Sequence, residues 1–243
     1  MRKVVLVTGG SRGIGAATAL LCAQQGYAVA VNYASNAPAA QAVVAQVRAA
    51  GGDAQVFQAD VADEAQVLAM FAAVDTHFGR LDALVNNAGV GDEPCDVQDM
   101  STSRLQRTFS TNILGSFVCA REALKRMQAG GAIVNVGSVA ARIGSPHLYV
   151  DYAASKAAID TFTVGLSKEV AARGIRVNCV RPGIIDTEIH ASGGQPDRVR
   201  ELEAQLPLQR AGTAAEVAQA IVWLLSDAAS YTTGAVVDVA GGR

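Results

Sequence analysis

The sequence predicts a doubly wound α/β protein, with seven parallel strands forming one sheet and helices covering both faces. Three observations lead there. Seven short runs are β-branched and almost continuously apolar, as strands buried on both faces must be. Longer amphipathic stretches alternate strictly with these runs, and such alternation builds a parallel sheet through right-handed crossovers. The first run passes through a glycine-rich turn straight into the first helix. At 243 residues without an internal repeat, the chain suits a single domain spanning 1–243.

The elements follow in order. VVLVTG (4–9) is the first strand, and the segment 13–25 is its helix. YAVAVNY (27–33) precedes a helix over 37–50. DAQVFQAD (53–60) precedes a helix over 63–78, which Asp63 and Gln66 open as a capping box. DALVNNAG (82–89) leads to a long helix over 101–128, and GAIVNVGS (131–138) leads to one over 152–172 that Gly174 should stop. IRVNCVRPG (175–183) is the sixth strand. Between Pro182 and Thr213 lie about thirty residues with no strand pattern, including Ser192, Gly193, Gly194 and Pro196; connections this long are uncommon unless functional. The segment 184–212 is therefore expected to be a substrate lid. A helix over 214–227 and AVVDVAGG (235–242) complete the chain.

Composition excludes several classes. Half the residues are apolar, the formal net charge is −2 and the charges are interspersed, so no basic stripe points to nucleic acid or an anionic membrane. No apolar run approaches the ~20 residues needed to span a bilayer, and an apolar strand begins too early for a signal peptide, so a cytoplasmic protein is expected. Cys22, Cys95, Cys119 and Cys179 fit no metal or redox spacing, and His77, His147 and His190 form no ligand pair, so no metal is expected.

The turn after the first strand reads Thr8-Gly9-Gly10-Ser11-Arg12-Gly13-Ile14-Gly15. Glycines allow a tight turn and close backbone approach, while the free N–H groups of the helix N-terminus suit a pyrophosphate, as in Rossmann-type folds. Gly9 to Gly13 also matches the GxSxG elbow of serine hydrolases, with Ser11 as nucleophile. That reading needs a histidine at a strand end; only His190, in the expected lid, is a candidate.

In YVDYAASK (149–156), a helical repeat places Tyr152 one turn below Lys156, with Tyr149 a turn further away. A lysine beside a phenol favours the phenolate and would lower the pKa of Tyr152. The same residues would also suit an ordinary surface helix.

Taken with the glycine loop, the chain resembles the short-chain dehydrogenase/reductase family over nearly its whole length. The matching features are TGGSRGIG at 8–15, Asp60-Val61, NNAG at 86–89, Asn112, Ser138, Tyr152-x3-Lys156 and Pro182-Gly183, in family order. Within the family, the stretches SPHLYVDYAASKAAIDTFT and RPGIIDTEIHASGG resemble a bacterial subgroup labelled glucose 1-dehydrogenase-like or 3-oxoacyl-acyl-carrier-protein reductase-like. The resemblance implies an oxidoreductase that moves hydride between nicotinamide and a carbonyl or secondary alcohol. It makes Tyr152 the general acid/base and gives Lys156 the nicotinamide ribose. Ser138 then steadies the substrate oxygen, and Asn112 anchors a water in a proton relay. Fourteen positions separate Ser138 from Tyr152, one more than the family's usual spacing, which implies an enlarged loop at Gly144 to His147 beside the substrate.

Cofactor contacts are expected from Gly9, Ser11, Arg12, Gly13, Ile14 and Gly15, and from Asn32, Tyr33, Ala34 and Ser35 after the second strand. Further contacts fall to Asp60, Val61, Asn86, Ala88, Gly89, Pro182, Gly183, Ile185 and Thr187, besides Tyr152 and Lys156. No carboxylate stands at 32–35 to repel a 2′-phosphate, and Arg12 could pair with one, so NADP(H) is favoured over NAD(H). The pocket walls should be Gly91, Asp92, Glu93, Val139 to Ile143, His147, Tyr149 and the lid, polar enough for a small polyol, sugar or keto compound. A carrier-protein substrate would instead need basic residues such as Lys125, Arg126 and Arg173 at the entrance. A dinucleotide-sensing protein would not need the intact set Asn112, Ser138, Tyr152 and Lys156. The family habit, with apolar Phe109, Ile113, Leu114, Phe117 and Leu124 and an apolar C-terminal stretch, implies a homotetramer.

Overall fold

The computed structural model describes residues 2–188, 194–195 and 197–243. His190, Ser192, Gly193 and Pro196 lie outside them. Seven strands, β1 (Val4–Val7), β2 (Ala28–Tyr33), β3 (Asp53–Gln58), β4 (Ala83–Asn86), β5 (Ala132–Val136), β6 (Arg176–Pro182) and β9 (Val236–Val239), form one sheet in the order β3-β2-β1-β4-β5-β6-β9. All six pairings are parallel. The order reverses between β1 and β4, and ligands of open α/β sheets bind beyond the strand C-termini at such a switch point.

β1 shows why the strands read as continuous apolar runs. Val5 and Val7 join a core beneath α1 (Gly13–Gln24), α2 (Ala37–Ala49) and α9 (Ala214–Leu225). Val4 and Leu6 join a second core beneath α3 (Glu64–Phe78), α5 (Gly115–Leu124) and α7 (Val150–Val170). Most strands end before the expected limits because Thr8-Gly9, Asn87 to Gly89 and Gly137-Ser138 leave the ladder, and these residues build the site.

The structure corrects three expectations. The helix over 101–128 is interrupted: α4 (Thr102–Phe109) passes through a π-helical turn, Ser110–Leu114, into α5, which ends at Leu124. The strandless segment after Pro182 contains a two-residue strand, β7 (Ile185–Asp186), paired with β8 (Gly212–Thr213), and a short helix, α8 (Arg198–Leu202). Asp63 does cap α3, accepting from the Gln66 N–H at 3.2 Å, but the Gln66 side chain reaches back to the Asp60 N–H rather than that of Asp63. The reciprocal capping box belongs to Thr213 and Glu216, at the start of α9. A further short helix, α6 (Ala140–Ile143), follows β5.

Candidate active site

The glycine loop is shaped by close approach. Gly9 and Gly13 adopt φ of 60° and 52°, in the left-handed region that favours glycine. A Cβ at Gly15 would lie 2.3 Å from the Gly9 carbonyl oxygen and 2.6 Å from Asn87 Nδ2, so only glycine lets α1 start this close to β1. Thr8 ties the loop to β4, its hydroxyl accepting from the N–H groups of Asn87 and Ala88 at 2.9 and 3.0 Å. Asn87 Nδ2 returns a bond to the Thr8 carbonyl at 2.9 Å. The cradle formed by the loop and the start of α1 thus fits a dinucleotide pyrophosphate.

Ile14, Gly89, Ser138, Tyr152, Lys156, Pro182, Gly183, Ile185 and Thr187 line one cavity at the strand C-termini. Gly183 is there by necessity, since a Cβ would fall 2.8 Å from Ala240 Cα. Gly13 faces Thr187 across the cavity mouth. Arg12 is exposed, and its side chain makes no hydrogen bond or ion pair among the described residues. Ala34 and Ser35 are exposed at the end of β2, and Tyr33 is buried.

The side chains of three residues expected to contact the cofactor also brace the scaffold. Asn32 is 1% exposed; its Oδ1 accepts from the Gly9 N–H at 3.1 Å and its Nδ2 donates to the Ala59 carbonyl at 3.0 Å, so the amide braces the loop. Asn86 Nδ2 is spent on Asn135 Oδ1 at 2.9 Å and the Ser116 carbonyl at 3.2 Å. Val61 is buried where a Cβ on Gly115 would strike it at 2.8 Å. A single sequence does not distinguish a polar residue facing a ligand from one bracing two strands.

The reactive end is built on α7 and the π-helical turn. Tyr152 is half buried on the first turns of α7, hydrogen-bonded to Ser138 at the end of β5. Lys156 is 5% exposed; its Nζ donates to the Val136 carbonyl at 2.8 Å and lies 5.7 Å from the centroid of the Tyr152 ring. Burial pulls its pKa down to about 8. The expected lowering of the Tyr152 pKa by this lysine is not what the geometry produces. Desolvation dominates and raises the phenol above its ordinary range, and the bond with Ser138 only partly offsets it. Asn112 Oδ1 accepts from the Val90 N–H at 2.8 Å, and its Nδ2 donates to Ser155 Oγ at 3.0 Å. Ser155 in turn donates to the Tyr152 carbonyl at 2.7 Å. Beside Gly89, the Asn112 and Lys156 side chains converge: both would lie 3.4 Å from a Cβ placed there.

An ion pair invisible to motif reading fixes the start of α7. Arg104 on α4 grips Asp151 through two contacts, of 2.8 and 3.1 Å, and donates to the Glu93 carbonyl at 2.6 Å. Before α7 the chain turns through left-handed residues at Gly144, Ser145 and His147, which aims Tyr149 at the cavity. Gly91, Asp92, Val139, Ala140, Ile143 and Tyr149 line the wall as expected. His147 turns away to Asp96 at 2.9 Å, and Arg142 pairs with Asp238. Ser145, from the loop expected beside the substrate, and Gln195 and Arg198, from the expected lid, also line the cavity; Asn87, inside NNAG, and Arg243 line it without having been anticipated. Among the described residues neither His77, packed against Phe57 and Phe78, nor His147, held by Asp96, serves Ser11, and His190, the candidate of the elbow reading, lies outside them.

A parallel doubly wound sheet whose glycine loop faces a serine, a tyrosine and a lysine defines the class of dinucleotide-dependent oxidoreductases. A family profile described as "Enoyl-(Acyl carrier protein) reductase" matches residues 9–243. The chain is 62% identical over 245 aligned residues to the uncharacterized oxidoreductase YgfF of Escherichia coli (strain K12), covering 99% of each. It is 40% identical to the 3-oxoacyl-[acyl-carrier-protein] reductase FabG of Staphylococcus aureus (strain Mu50 / ATCC 700699), over 100% of this chain and 98% of that one. A short-chain dehydrogenase from Burkholderia cenocepacia J2315, in complex with NADP, superposes with a TM-score of 0.93 at 36% identity, over 99% of this chain and 97% of that one. The chain belongs to the short-chain dehydrogenase/reductase family, whose members are NAD(P)-dependent oxidoreductases.

Proposed function

We propose that the protein interconverts the carbonyl and secondary alcohol of a small polar substrate, using NADP(H) in preference to NAD(H). One observation carries this: Ser138, Tyr152 and Lys156 share a cavity with Ile14, Gly89, Pro182, Gly183 and Thr187, beside the glycine loop. When bound, the nicotinamide supplies or accepts hydride. The glycine loop and the N-terminus of α1 would hold the pyrophosphate, and Arg12, exposed and without a side-chain partner among the described residues, would meet the 2′-phosphate. In reduction, Tyr152 delivers its proton to the carbonyl oxygen; burial keeps the phenol protonated through neutral pH. The Ser138 hydroxyl steadies the charge growing on that oxygen. Lys156 orients the ribose, and Asn112, through Ser155, fixes the turn of α7 that carries Tyr152.

The 40% identity to 3-oxoacyl-carrier-protein reductases supports a second reading, in which the substrate arrives on a carrier protein. Against it, Lys125 and Arg126 are paired with Glu122, and Arg173 donates to the Leu124 and Met127 carbonyls, so little free basic surface remains there for an acidic partner. The experiment is a panel of ketones, sugars, polyols and an acetoacetyl thioester with NADPH and NADH, followed by nicotinamide absorbance. Tyr152→Phe should cost about 10²–10⁴-fold in turnover with cofactor binding retained, while Tyr149→Phe costs little; equal losses would refute the assignment.

The same reading makes the chain a single domain whose segment 184–212 closes over substrate, and places it in the cytoplasm, consistent with four free cysteines. It also makes the protein a tetramer. Phe117, which stacks on Phe162 at 3.8 Å, together with Leu114, Val164 and Trp223, exposes apolar surface on α5, α7, α9 and the turn before α5. Light scattering should give about four times 25.0 kDa, and an active monomer would overturn this.

A further inference from the structure

The cavity holds two charges that proton transfer and dinucleotide binding leave without a task. Arg198, at the start of α8, and Arg243, beyond β9, line the same cavity as Ser138 and Tyr152. Both are half buried, and neither makes an ion pair among the described residues. Arg104, Arg126 and Arg181, by contrast, are held by carboxylates, and the half-buried Arg176 is spent on the Leu224, Leu225 and Ser226 carbonyls. The acidic side chain lining the cavity, Asp92, is already taken by Arg107.

The Arg198 guanidinium is oriented rather than neutralised. It lies 5.1 Å above the centre of the Tyr149 ring and donates to Gln195 Oε1 at 2.7 Å. The same Gln195 oxygen accepts from the Tyr149 hydroxyl, so tyrosine, glutamine and arginine form one unit with further guanidinium N–H groups to spare. Arg243 lies near enough to feel Arg198: burial, and then repulsion from Arg198, disfavour its charge. Two like charges in a half-buried cleft destabilise the empty site, and an anion between them would relieve the repulsion. Arg12 does not line this cavity, whereas the pair clusters with Tyr149 at the start of α7.

We propose that Arg198 and Arg243 form an anion subsite, and that the substrate is a carbonyl compound, or the matching alcohol, bearing a carboxylate or phosphate group. This rests on the reading of the cleft as an oxidoreductase site. Planar guanidinium groups suit both anions because each offers paired N–H donors.

The test compares matched probes: levulinate with methyl levulinate, and dihydroxyacetone phosphate with dihydroxyacetone, each with NADPH. In at least one pair the wild type should favour the anionic member in kcat/KM by about tenfold or more. Arg198→Gln and Arg243→Gln should each collapse that ratio by about 10- to 100-fold, and Arg198→Lys should keep part of it. The pair that carries the preference tells carboxylate from phosphate. Ratios near one in the wild type, or ratios unchanged in both glutamine variants, overturn the proposal. Calorimetric titration with levulinate and with inorganic phosphate separates the two readings. Binding lost in the variants, with no carbonyl reduced, would leave the subsite standing and remove the oxidoreductase chemistry; no binding and no anionic preference would remove the subsite.

Discussion

Replacing Arg104 with methionine tests what holds Tyr152 in register. The Arg104 and Asp151 side chains are 9% and 1% exposed, so removing the guanidinium strands a buried carboxylate one residue before Tyr152. Losing one member of such a pair costs about 3–5 kcal/mol. Asp151 keeps a backbone N–H and the favourable N-terminal end of α7, which argues for the lower figure, about 3 kcal/mol. For a chain of this length that is roughly 6–12 °C in Tm. The pH dependence adds a sign. Burial opposes the Asp151 charge, but the Arg104 hydrogen bond and backbone N–H groups together outweigh it and hold the carboxyl below its ordinary range. A depressed carboxyl contributes stability above its unfolded pKa, and this is lost as pH falls through the folded value. The gap between wild type and Arg104→Met should therefore be full at pH 7 and narrow in acid. Calorimetric melts of wild type, Arg104→Met, Asp151→Asn and the double variant across pH would measure it. A loss below about 1 kcal/mol at pH 7, or single losses that simply add in the double variant, would refute the reasoning.

Two further outcomes are expected. Arg12→Ala should weaken NADPH binding by about 1.5–3 kcal/mol and leave NADH nearly unchanged, and Ala34→Asp should shift preference toward NADH; fluorescence titration of both cofactors checks this. Lys156→Met should abolish turnover yet melt higher than wild type at pH 7. Burying the ammonium costs roughly 3 kcal/mol from its fall to a pKa of about 8, less about 1 for the lost bond to Val136. Because the unfolded state holds that proton more tightly, wild-type stability should rise between pH 8 and the ordinary lysine range, closing the gap.

The seven strand segments, the glycine loop and the spacing of Tyr152 and Lys156 were all legible in the chain, because each expresses a local rule. Apolar runs mark buried strands, glycines mark positive φ or close approach, and one helical turn aligns side chains four residues apart. The short strand at Ile185–Asp186 was not legible, since two residues carry no periodicity. Nor was the π-helical turn that directs Asn112 toward Val90 and Ser155. What only the tertiary structure decided was how polar residues divide between scaffold and site. Asn32 and the amide nitrogen of Asn86 are spent on partners in neighbouring elements, whereas Arg198, from the connection after Pro182, and Arg243, beyond β9, reach the cavity. The physical reason is that a side chain's partner is set by which strand ends and helices meet in space, and residues more than forty positions apart, such as Arg104 and Asp151, become neighbours only when the sheet closes that distance.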